Sequence, residues 1–340
     1  MSKYSIVLPV HNGGEYIKEC ISSILAQNYT DFNLLVLENA STDGTFEWLK
    51  TIKDNRLIII PSSKFLSMRE NWLRIKEVSK NEFFTLVGYD DLLDVNYLNV
   101  MDKLIKDHPD ASLYQAHFRY IDLLGNFNRS CHPMTEIQYS HELLAYQFKF
   151  TLDSMGTGFM MRESDFNRVG GHPPYPNLMF ADNELLFKLA NISYKATSLE
   201  ECFSYREHDS ISVMTNNQDF QEAFFEYLAF IKKQTLFSEN IRLIVHRYSH
   251  EYLKVICKGL IYKELLASKK TKKGSVKKII DNFQRISNEL TPDITTDLKN
   301  DLIIKVYLFL DKIYFSRVIL NSLLVIKSKI KIMIYGVIKK

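Results

Sequence analysis

The chain has 340 residues, of which 46% are hydrophobic and 24% are charged, and its formal net charge is +3. This composition is typical of one or two globular domains and argues against a disordered chain. A net charge this small gives no support for nucleic-acid binding. The four cysteines lie far apart without a CxxC pair, so they predict neither a zinc site nor a disulfide scaffold. A reducing, cytoplasmic compartment is therefore the simplest expectation.

The first hundred residues alternate between apolar runs that predict buried strands and amphipathic runs that predict helices. Such alternation predicts parallel βαβ units and an open sheet that is covered by helices on both faces. The predicted strands are Tyr4–Val10, Phe32–Glu38, Arg56–Ile60 and Glu82–Val87, and the predicted helices are Glu15–Ala26, a segment with Phe46, Trp48 and Leu49, Met68–Val78, and Val95–Asp107.

The character of the chain changes twice after this region. The middle mixes strand and helix signals, and from Asp219 onward long helical patterns dominate while glycine becomes scarce. We therefore place a domain boundary near Asn216. The middle segment is expected to contain a strand at Ala111–Ala116, a glycine-containing segment at Gly156–Met161 and a helix that begins near Asn183.

Three groups of polar residues follow predicted strands, where the ligands of open α/β sheets bind. The adjacent carboxylates of Asp90 and Asp91 are costly at such an edge unless a cation is present. A divalent ion shared with substrate phosphates would offset that cost. The alternative is a solvated turn that caps the next helix. The three groups are His11–Gly14, Glu38–Ser41 and Gly88–Asp91.

Three further residues could take part in catalysis or binding, and each could instead have an ordinary structural role. Asp182 enters a predicted helix, where a carboxylate serves as an N-cap more often than as a base. His208 lies among charged residues, as in a surface loop. Arg69 is either a solvated charge or a phosphate clamp. The sequence contains no GxGxxG, GxxxxGK[ST] or GxSxG motif, so dinucleotide oxidoreductases, P-loop proteins and α/β-hydrolases lose support.

Taken together, these spaced segments resemble the family 2 glycosyltransferases. The likeness is strong over about residues 3–110 and continues more weakly to about Thr215. Each segment alone is a weak signal, but the spaced set is specific. The segments are Ser5–Asn12, Ile21–Tyr29, Glu38–Thr45 and Asp90–Asp91, followed by Val169–Gly171, Ala181–Leu185 and Tyr205–Ser212.

The resemblance implies an α/β chain with a GT-A fold, a Rossmann-like sheet of nucleotide-diphospho-sugar transferases, and a C-terminal helical extension. The implied domains are a catalytic domain of residues 1–216, with a nucleotide-sugar half (1–110) and an acceptor half (111–216), and a helical region of residues 217–340. The implied reaction is inverting transfer of a sugar from a UDP- or dTDP-linked donor to the hydroxyl of a glycan or lipid-linked acceptor. Assembly of a bacterial-type surface polysaccharide or glycolipid is the expected setting.

The resemblance also assigns roles to individual residues, with Mg²⁺ or Mn²⁺ as the cofactor. Asp182 would be the general base. Asp90 and Asp91 would hold the metal, and His208 would approach the metal or the diphosphate. The residues implied to contact the nucleotide sugar are Pro9, Val10, His11, Asn12, Glu38, Asn39, Arg69 and Asp90.

Two positions depart from the family pattern. Asn39 stands where an aspartate is frequent, although its side-chain oxygen can still accept a hydrogen bond from a pyrimidine N–H. Gly88 stands where an aspartate often begins the carboxylate motif, so the metal site is leaner. A nucleotidyltransferase and a degenerate, transferase-like scaffold are the alternatives. The strand-end motifs lack a basic cluster for a triphosphate, and the retention of Asp91, Asp182 and His208 counts against a scaffold.

The C-terminal tail from Lys312 to Lys340 contains seven basic residues, no Asp or Glu, and many apolar residues. The charges interrupt the apolar run too often for a membrane span. A basic, apolar helix can instead lie in the headgroup region of an anionic leaflet. We therefore expect peripheral contact with the cytoplasmic face of the membrane, and packing of the tail on protein is the alternative.

Overall fold

A computed structural model describes residues 2–153, 155–207, 215–266, 275–294 and 297–312. The described residues fall into two compact units, of which the first ends at Ile231 and the second begins at Lys232. A long helix begins at Asn217, next to the boundary that the sequence predicts near Asn216. The division into a catalytic domain and a helical region at that point stays a prediction.

The first unit is built on one ten-stranded sheet. The predicted strands Tyr4–Val10 and Phe32–Glu38 are found with the predicted bounds. The other predicted strands overlap observed strands whose bounds are shifted by a few residues. The strands are β1 (Tyr4–Val10), β2 (Phe32–Glu38), β3 (Leu57–Pro61), β4 (Phe83–Leu86), β5 (Leu92–Leu93), β6 (Leu113–Ile121), β7 (Phe127–Ser130), β8 (Ile137–Gln138), β9 (Phe159–Arg162) and β10 (Lys195–Arg206).

The strand order is β3-β2-β1-β4-β9-β6-β10-β5, with β7 paired to β6 and β8 paired to β10. Strands β1 to β4 run parallel, as the sequence predicts. Because β9 is antiparallel to both β4 and β6, β6 and its parallel partner β10 run in the same direction as β4. The segments that follow β1, β2, β4, β6 and β10 therefore meet at one side of the sheet, which we name the carboxyl edge.

Helices flank the sheet strands along the chain. They are α1 (Tyr16–Leu25), α2 (Thr45–Thr51), α3 (Met68–Leu73, continued by a 3₁₀ turn at Arg74–Lys76), α4 (Tyr97–Asp107), α5 (Ser140–Phe148), α6 (Glu163–Arg168), α7 (Ala181–Ile192, preceded by a 3₁₀ turn at Pro176–Leu178) and α8 (Asn217–Gln234).

Both faces of the sheet are covered by helices. Alternate side chains of each strand point to opposite faces and pack against different helices. In β1, Tyr4, Ile6 and Leu8 belong to an apolar cluster that includes residues of α1 and α4. Val7 belongs to a second cluster, which includes Phe166 of α6 and residues of α7. Burial on both faces explains why β1 reads as a continuous apolar run.

The second unit contains the helices α9 (Glu239–Leu266), α10 (Ser275–Leu290) and α11 (Leu302–Lys312). Within α10 the buried residues Val276, Ile279, Ile280 and Phe283 recur at helical spacing and form one apolar stripe. No helix among the described residues is long and apolar enough to cross a membrane. All of the predicted membrane-contacting tail except Lys312 lies outside the described residues, so that contact stays a prediction.

The close approach of Gly158, just before β9, to the ring of Phe203 in β10 generates a test of the packing. Gly158 has a φ of +77°, and a Cβ there would lie 2.4 Å from the ring of buried Phe203. Gly158→Ala should therefore lower the free energy of unfolding by about 1–3 kcal/mol more than a glycine substitution that meets no neighbour. Gly170→Ala is the matched control, because Gly170 has a φ of +93° and open space around it. Urea denaturation would measure both, and equal losses would contradict the packing described here.

Candidate functional site

The carboxylate pair follows β4 at the carboxyl edge. Asp91 is buried, and its Oδ1 accepts a hydrogen bond from the backbone N–H of Arg206 at 3.1 Å. Its Oδ2 accepts from the hydroxyl of Thr157 at 2.8 Å. Burial, with a contribution from the charge of Asp90, raises the pKa of Asp91 to about 7. Asp91 therefore ties the segment before β9 and the last residue of β10 to the carboxyl edge.

Gly88 lies against both carboxylates. A Cβ at this position would be 2.8 Å from Oδ2 of Asp91 and 2.9 Å from Oδ1 of Asp90. The absence of a side chain leaves a notch that carboxylate oxygens border. Mg²⁺ and Mn²⁺ favour oxygen ligands, and Mg²⁺ in particular is often bound by one or two carboxylates together with waters and substrate phosphates. The carboxylate of half-buried Asp90 is an oxygen donor of the kind that such an ion prefers.

The protein contributes few groups to this notch. Within the described ranges, which omit His208, no set of three or more His, Cys, Asp or Glu side chains is arranged to hold a metal ion. The predicted role of His208 therefore stays a prediction. A metal here would take most of its ligands from water and substrate.

Arg206 is the largest fully buried side chain at the site, and the sequence analysis did not single it out. Its Nε donates to the carbonyl oxygen of Asp90 at 2.8 Å, and its Nη2 donates to Glu19 at 2.7 Å. Its Nη1 donates to two carbonyl oxygens in the loop after β6. The guanidinium also lies 4.6 Å from the ring centroid of Tyr16. Arg206 thus joins the loops after β4 and β6 to helix α1.

The loops after β1 and β2 are joined by hydrogen bonds. The Oδ1 of Asn12 accepts from the backbone N–H of Thr42 at 2.8 Å, and the backbone N–H of Asn12 donates to Ser41 at 3.0 Å. Ring atom Nδ1 of His11 pairs with the carbonyl oxygen of Asn39 at 2.9 Å. These contacts bring together the strand-end residues that the sequence predicts, including Pro9 and Val10 at the end of β1.

Glu38 and Asn39 are both buried and engaged in folding their own loops. The carboxylate of Glu38 accepts from the N–H groups of Ala40 and Ser41 at 3.1 and 2.6 Å. The side chain of Asn39 donates to the carbonyl of Leu66 at 2.8 Å and accepts from its N–H at 2.9 Å. Both residues therefore shape the carboxyl edge, and their contact with a nucleotide stays a prediction.

Phe65 is an exposed aromatic residue next to the Leu66 backbone that Asn39 holds. Its ring is 60% exposed and lies 4.7 Å, centroid to centroid, from the ring of His11. Exposed aromatic faces are platforms on which nucleobases stack. A single phenylalanine in a loop carries no periodic or motif signal, so no sequence pattern predicts a role for Phe65.

Arg69 lies exposed in the first turn of α3, where Ser67 and Glu70 form a capping box. Its Nη1 contacts the carbonyl oxygen of Pro174 at 3.4 Å. This contact is at the long end of hydrogen-bond range. The guanidinium is therefore positioned only loosely by the protein, as a phosphate-binding group at a surface would be.

Asp182 is the second residue of α7. The N-cap interpretation is wrong, because Phe180 occupies the position before the helix with a φ of 64° and makes no side-chain cap. Asp182 is half-buried at a helix N-terminus, where a negative charge is stabilised. Burial, with added charges from Asp91, Asp90 and Asp182, raises the pKa of Tyr205 to about 12. Tyr205, near the end of β10, therefore lies within the electrostatic influence of Asp182 and of the carboxylate pair.

Comparison with known proteins gives matches in sequence and in structure. The family model "Glycosyl transferase family 2" matches residues 5–170. Glycosyltransferase GlyG of Streptococcus pneumoniae is 25% identical over 125 residues, which are 36% of this chain and only 42% of GlyG. The uncharacterized glycosyltransferase RT0329 of Rickettsia typhi is 26% identical over 257 residues, 73% of this chain and 77% of that protein.

A crystal structure of S. aureus TarS 1-349 in complex with UDP-GlcNAc has a TM-score of 0.60 to this chain. The match has 14% sequence identity and covers 94% of this chain and 91% of that one. At this identity the likeness shows the fold alone. The predicted GT-A fold with a helical C-terminal region is confirmed.

The buried contacts of Asn39 generate a stability test. Asn39→Asp removes the N–H donor to Leu66 and sets a carboxylate oxygen against a carbonyl oxygen. We expect a loss of about 2 kcal/mol or more in the free energy of unfolding, the usual cost of an unsatisfied buried polar group. Asn12→Asp is the control, because it keeps the acceptor oxygen for Thr42. If both variants unfold at the same urea concentration as the wild type, Asn39 does not hold the loop.

Proposed function

The chain is a family 2 glycosyltransferase over residues 5–170, and we propose that it transfers a sugar, with inversion, from a UDP- or dTDP-linked donor to a hydroxyl group. We further propose a glycan or lipid-linked acceptor, in the assembly of a surface polysaccharide or glycolipid. The observation that carries the proposal is that the loops after β1, β2 and β4, the last with Asp90, meet at the carboxyl edge because these strands run parallel. The charge of Asp182 acts together with that of Asp90 on Tyr205 near the end of β10, which supports its inclusion in the site.

The donor is proposed to lie over the loops after β1 and β2. The exposed ring of Phe65 beside His11 offers a stacking surface for the base. Arg69 offers a mobile cation for the diphosphate. Binding of UDP-GlcNAc by the structurally similar TarS 1-349 supports a uridine nucleotide.

Asp90 is proposed as the main protein ligand of Mg²⁺ or Mn²⁺, with His208 as a neighbour of the ion. The protein hydrogen bonds of Asp91 favour a supporting role for that residue. A bound divalent ion would stabilise the negative charge that develops on the leaving diphosphate. The oxygen-bordered notch at Gly88 supports this assignment.

Asp182 is proposed as the general base. The acceptor hydroxyl oxygen attacks the anomeric carbon from the face opposite the diphosphate, and its proton passes to the carboxylate of Asp182. The bond between the anomeric carbon and the diphosphate oxygen breaks, and the electron pair leaves with the diphosphate. Holding donor and acceptor together supplies much of the rate enhancement.

Replacing the base is the direct test of this mechanism. Asp182→Asn should lower donor turnover by about 10²-fold or more, because the amide cannot take the proton, while donor affinity stays within a few-fold of the wild type. Turnover is measured as nucleotide released, and affinity by calorimetry. Asp107→Asn is the control, since Asp107 is an exposed residue of α4 that pairs with Lys103. Wild-type turnover in Asp182→Asn would remove Asp182 from the role of base.

The two carboxylates after β4 should respond differently to replacement. Asp90→Ala should remove the part of UDP affinity that depends on Mn²⁺. Asp91→Ala should lower the free energy of unfolding by about 2 kcal/mol or more, because the buried hydroxyl of Thr157 and N–H of Arg206 lose their acceptor. Calorimetry and urea denaturation measure the two effects. The reverse pattern would make Asp91 the metal ligand.

A further inference from the structure

A second polar cluster lies on the acceptor half of the sheet, and we name it the acceptor-side cluster: Tyr120, Arg129, His132 and Asp153. The carboxylate of Asp153 is at its centre, with a side chain that is only 9% exposed. Its Oδ1 accepts from the Tyr120 hydroxyl at 2.8 Å and from Arg129 Nη2 at 3.0 Å. Its Oδ2 pairs with His132 Nδ1 at 2.8 Å.

The charge state of Asp153 fixes the tautomer of His132. Burial opposes ionisation, but hydrogen bonds from Arg129, His132 and Tyr120 outweigh it and lower the pKa of Asp153 to about 2. An ionised carboxylate only accepts hydrogen bonds, so Nδ1 of His132 must carry the proton. In the neutral ring, Nε2 is then a hydrogen-bond acceptor. The His132 side chain is 50% exposed, and its Nε2 makes no hydrogen bond to any residue that the structure describes.

Arg129 adds donors beside this acceptor. Its guanidinium lies 3.6 Å from the ring centroid of Tyr120 and pairs with Asp153, so its position is fixed. Its side chain remains 43% exposed. The charges of Arg129 and Asp153 offset each other within the cluster. An acceptor set beside several donors matches adjacent hydroxyl groups, which both donate and accept hydrogen bonds, better than it matches a phosphate or carboxylate.

One ring contact and one shared cavity link the cluster to residues near Asp182. The ring of Tyr120 packs against that of Tyr205, with centroids 5.6 Å apart. A cavity of about 20 Å³, the size of one water molecule, is lined by both Asp153 and Asn183. Asn183 is the neighbour of Asp182 in the chain, and the charges of Asp90 and Asp182 both act on Tyr205. The cluster is therefore linked through Tyr205 and the cavity to the residues around the proposed base.

An isolated surface ion pair would be an unremarkable structural feature. Here, however, a buried carboxylate aligns two half-exposed side chains, and Asp153 shares a cavity lining with Asn183, the neighbour of the candidate base. We propose that His132 and Arg129, held by Asp153, form a subsite that binds hydroxyl groups of a sugar or polyol acceptor. This inference rests on the proposed function. His132 is a positioning residue in this account, and proton removal belongs to Asp182.

Saturation-transfer NMR tests the subsite directly. The probes are methyl glycosides of glucose, galactose, mannose and N-acetylglucosamine, offered to the full chain in the presence of UDP and Mn²⁺. We expect signal transfer to at least one glycoside, and a drop in its affinity of about five- to tenfold in His132→Ala, the scale of one or two lost hydrogen bonds. His132→Gln should recover part of the affinity, because its amide oxygen can accept a hydrogen bond.

The chain contains a matched control. His246 of α9 pairs with Asp293 through Nε2 at 2.9 Å and has a similar exposure of 52%, but it belongs to the second unit. His246→Ala should leave glycoside and UDP binding unchanged, and every variant should retain wild-type UDP affinity. Glycoside binding that survives in His132→Ala, or no glycoside binding in a wild type that binds UDP, would overturn the subsite. A wild type that fails to bind UDP or dTDP would instead overturn the proposed function.

Discussion

The candidate site depends on one buried cation, the guanidinium of Arg206. A buried arginine is tolerated only when its donors are satisfied, and here carbonyl oxygens and the carboxylate of Glu19 accept them. Because these acceptors come from helix α1 and from the loops after β4 and β6, the arginine fixes three separate parts of the carboxyl edge. Its own backbone N–H holds Asp91. Loss of this residue would therefore disturb the acceptor half and the carboxylate pair together.

The family resemblance implies metal binding by both members of the carboxylate pair, but the two residues lie in different environments. Asp91 is satisfied by protein donors and stabilises the fold, whereas half-buried Asp90 borders the notch left by Gly88. Two adjacent ionised carboxylates repel each other, which is one reason that the pKa of Asp91 is raised. In the proposed metal site, with so few protein ligands, the substrate would have to complete the coordination of the ion. Donor binding and metal binding are then expected to reinforce each other.

The sequence predicts most of the first half of the fold. Strand β1 is found as predicted because its burial on both faces gives a continuous apolar signal. The convergence of loops at the carboxyl edge follows from strand direction, so His11, Asp90 and their neighbours could be identified before the structure. The family likeness supplied Asp182, which periodicity alone would have interpreted as a cap.

The remaining features depend on contacts between residues far apart in the chain. Arg206 reads as a solvated charge until its partner Glu19 is seen, and the two are separated by 187 positions. His132 and Asp153 are 21 residues apart and come together only through the loop after α5. Asn39 was predicted to contact the base, but its amide is used by the Leu66 backbone. No local pattern encodes such pairings, because they are fixed by the packing of the whole unit.

The most direct test of the account is nucleotide release from a panel of UDP-, dTDP- and GDP-linked sugars by the full chain. The account predicts that at least one UDP- or dTDP-sugar is bound and slowly hydrolysed in Mn²⁺, that EDTA abolishes the release, and that GDP-sugars are poor donors. Failure to bind or hydrolyse any nucleotide sugar, with and without metal, would contradict the proposal that this carboxyl edge is a glycosyltransferase site.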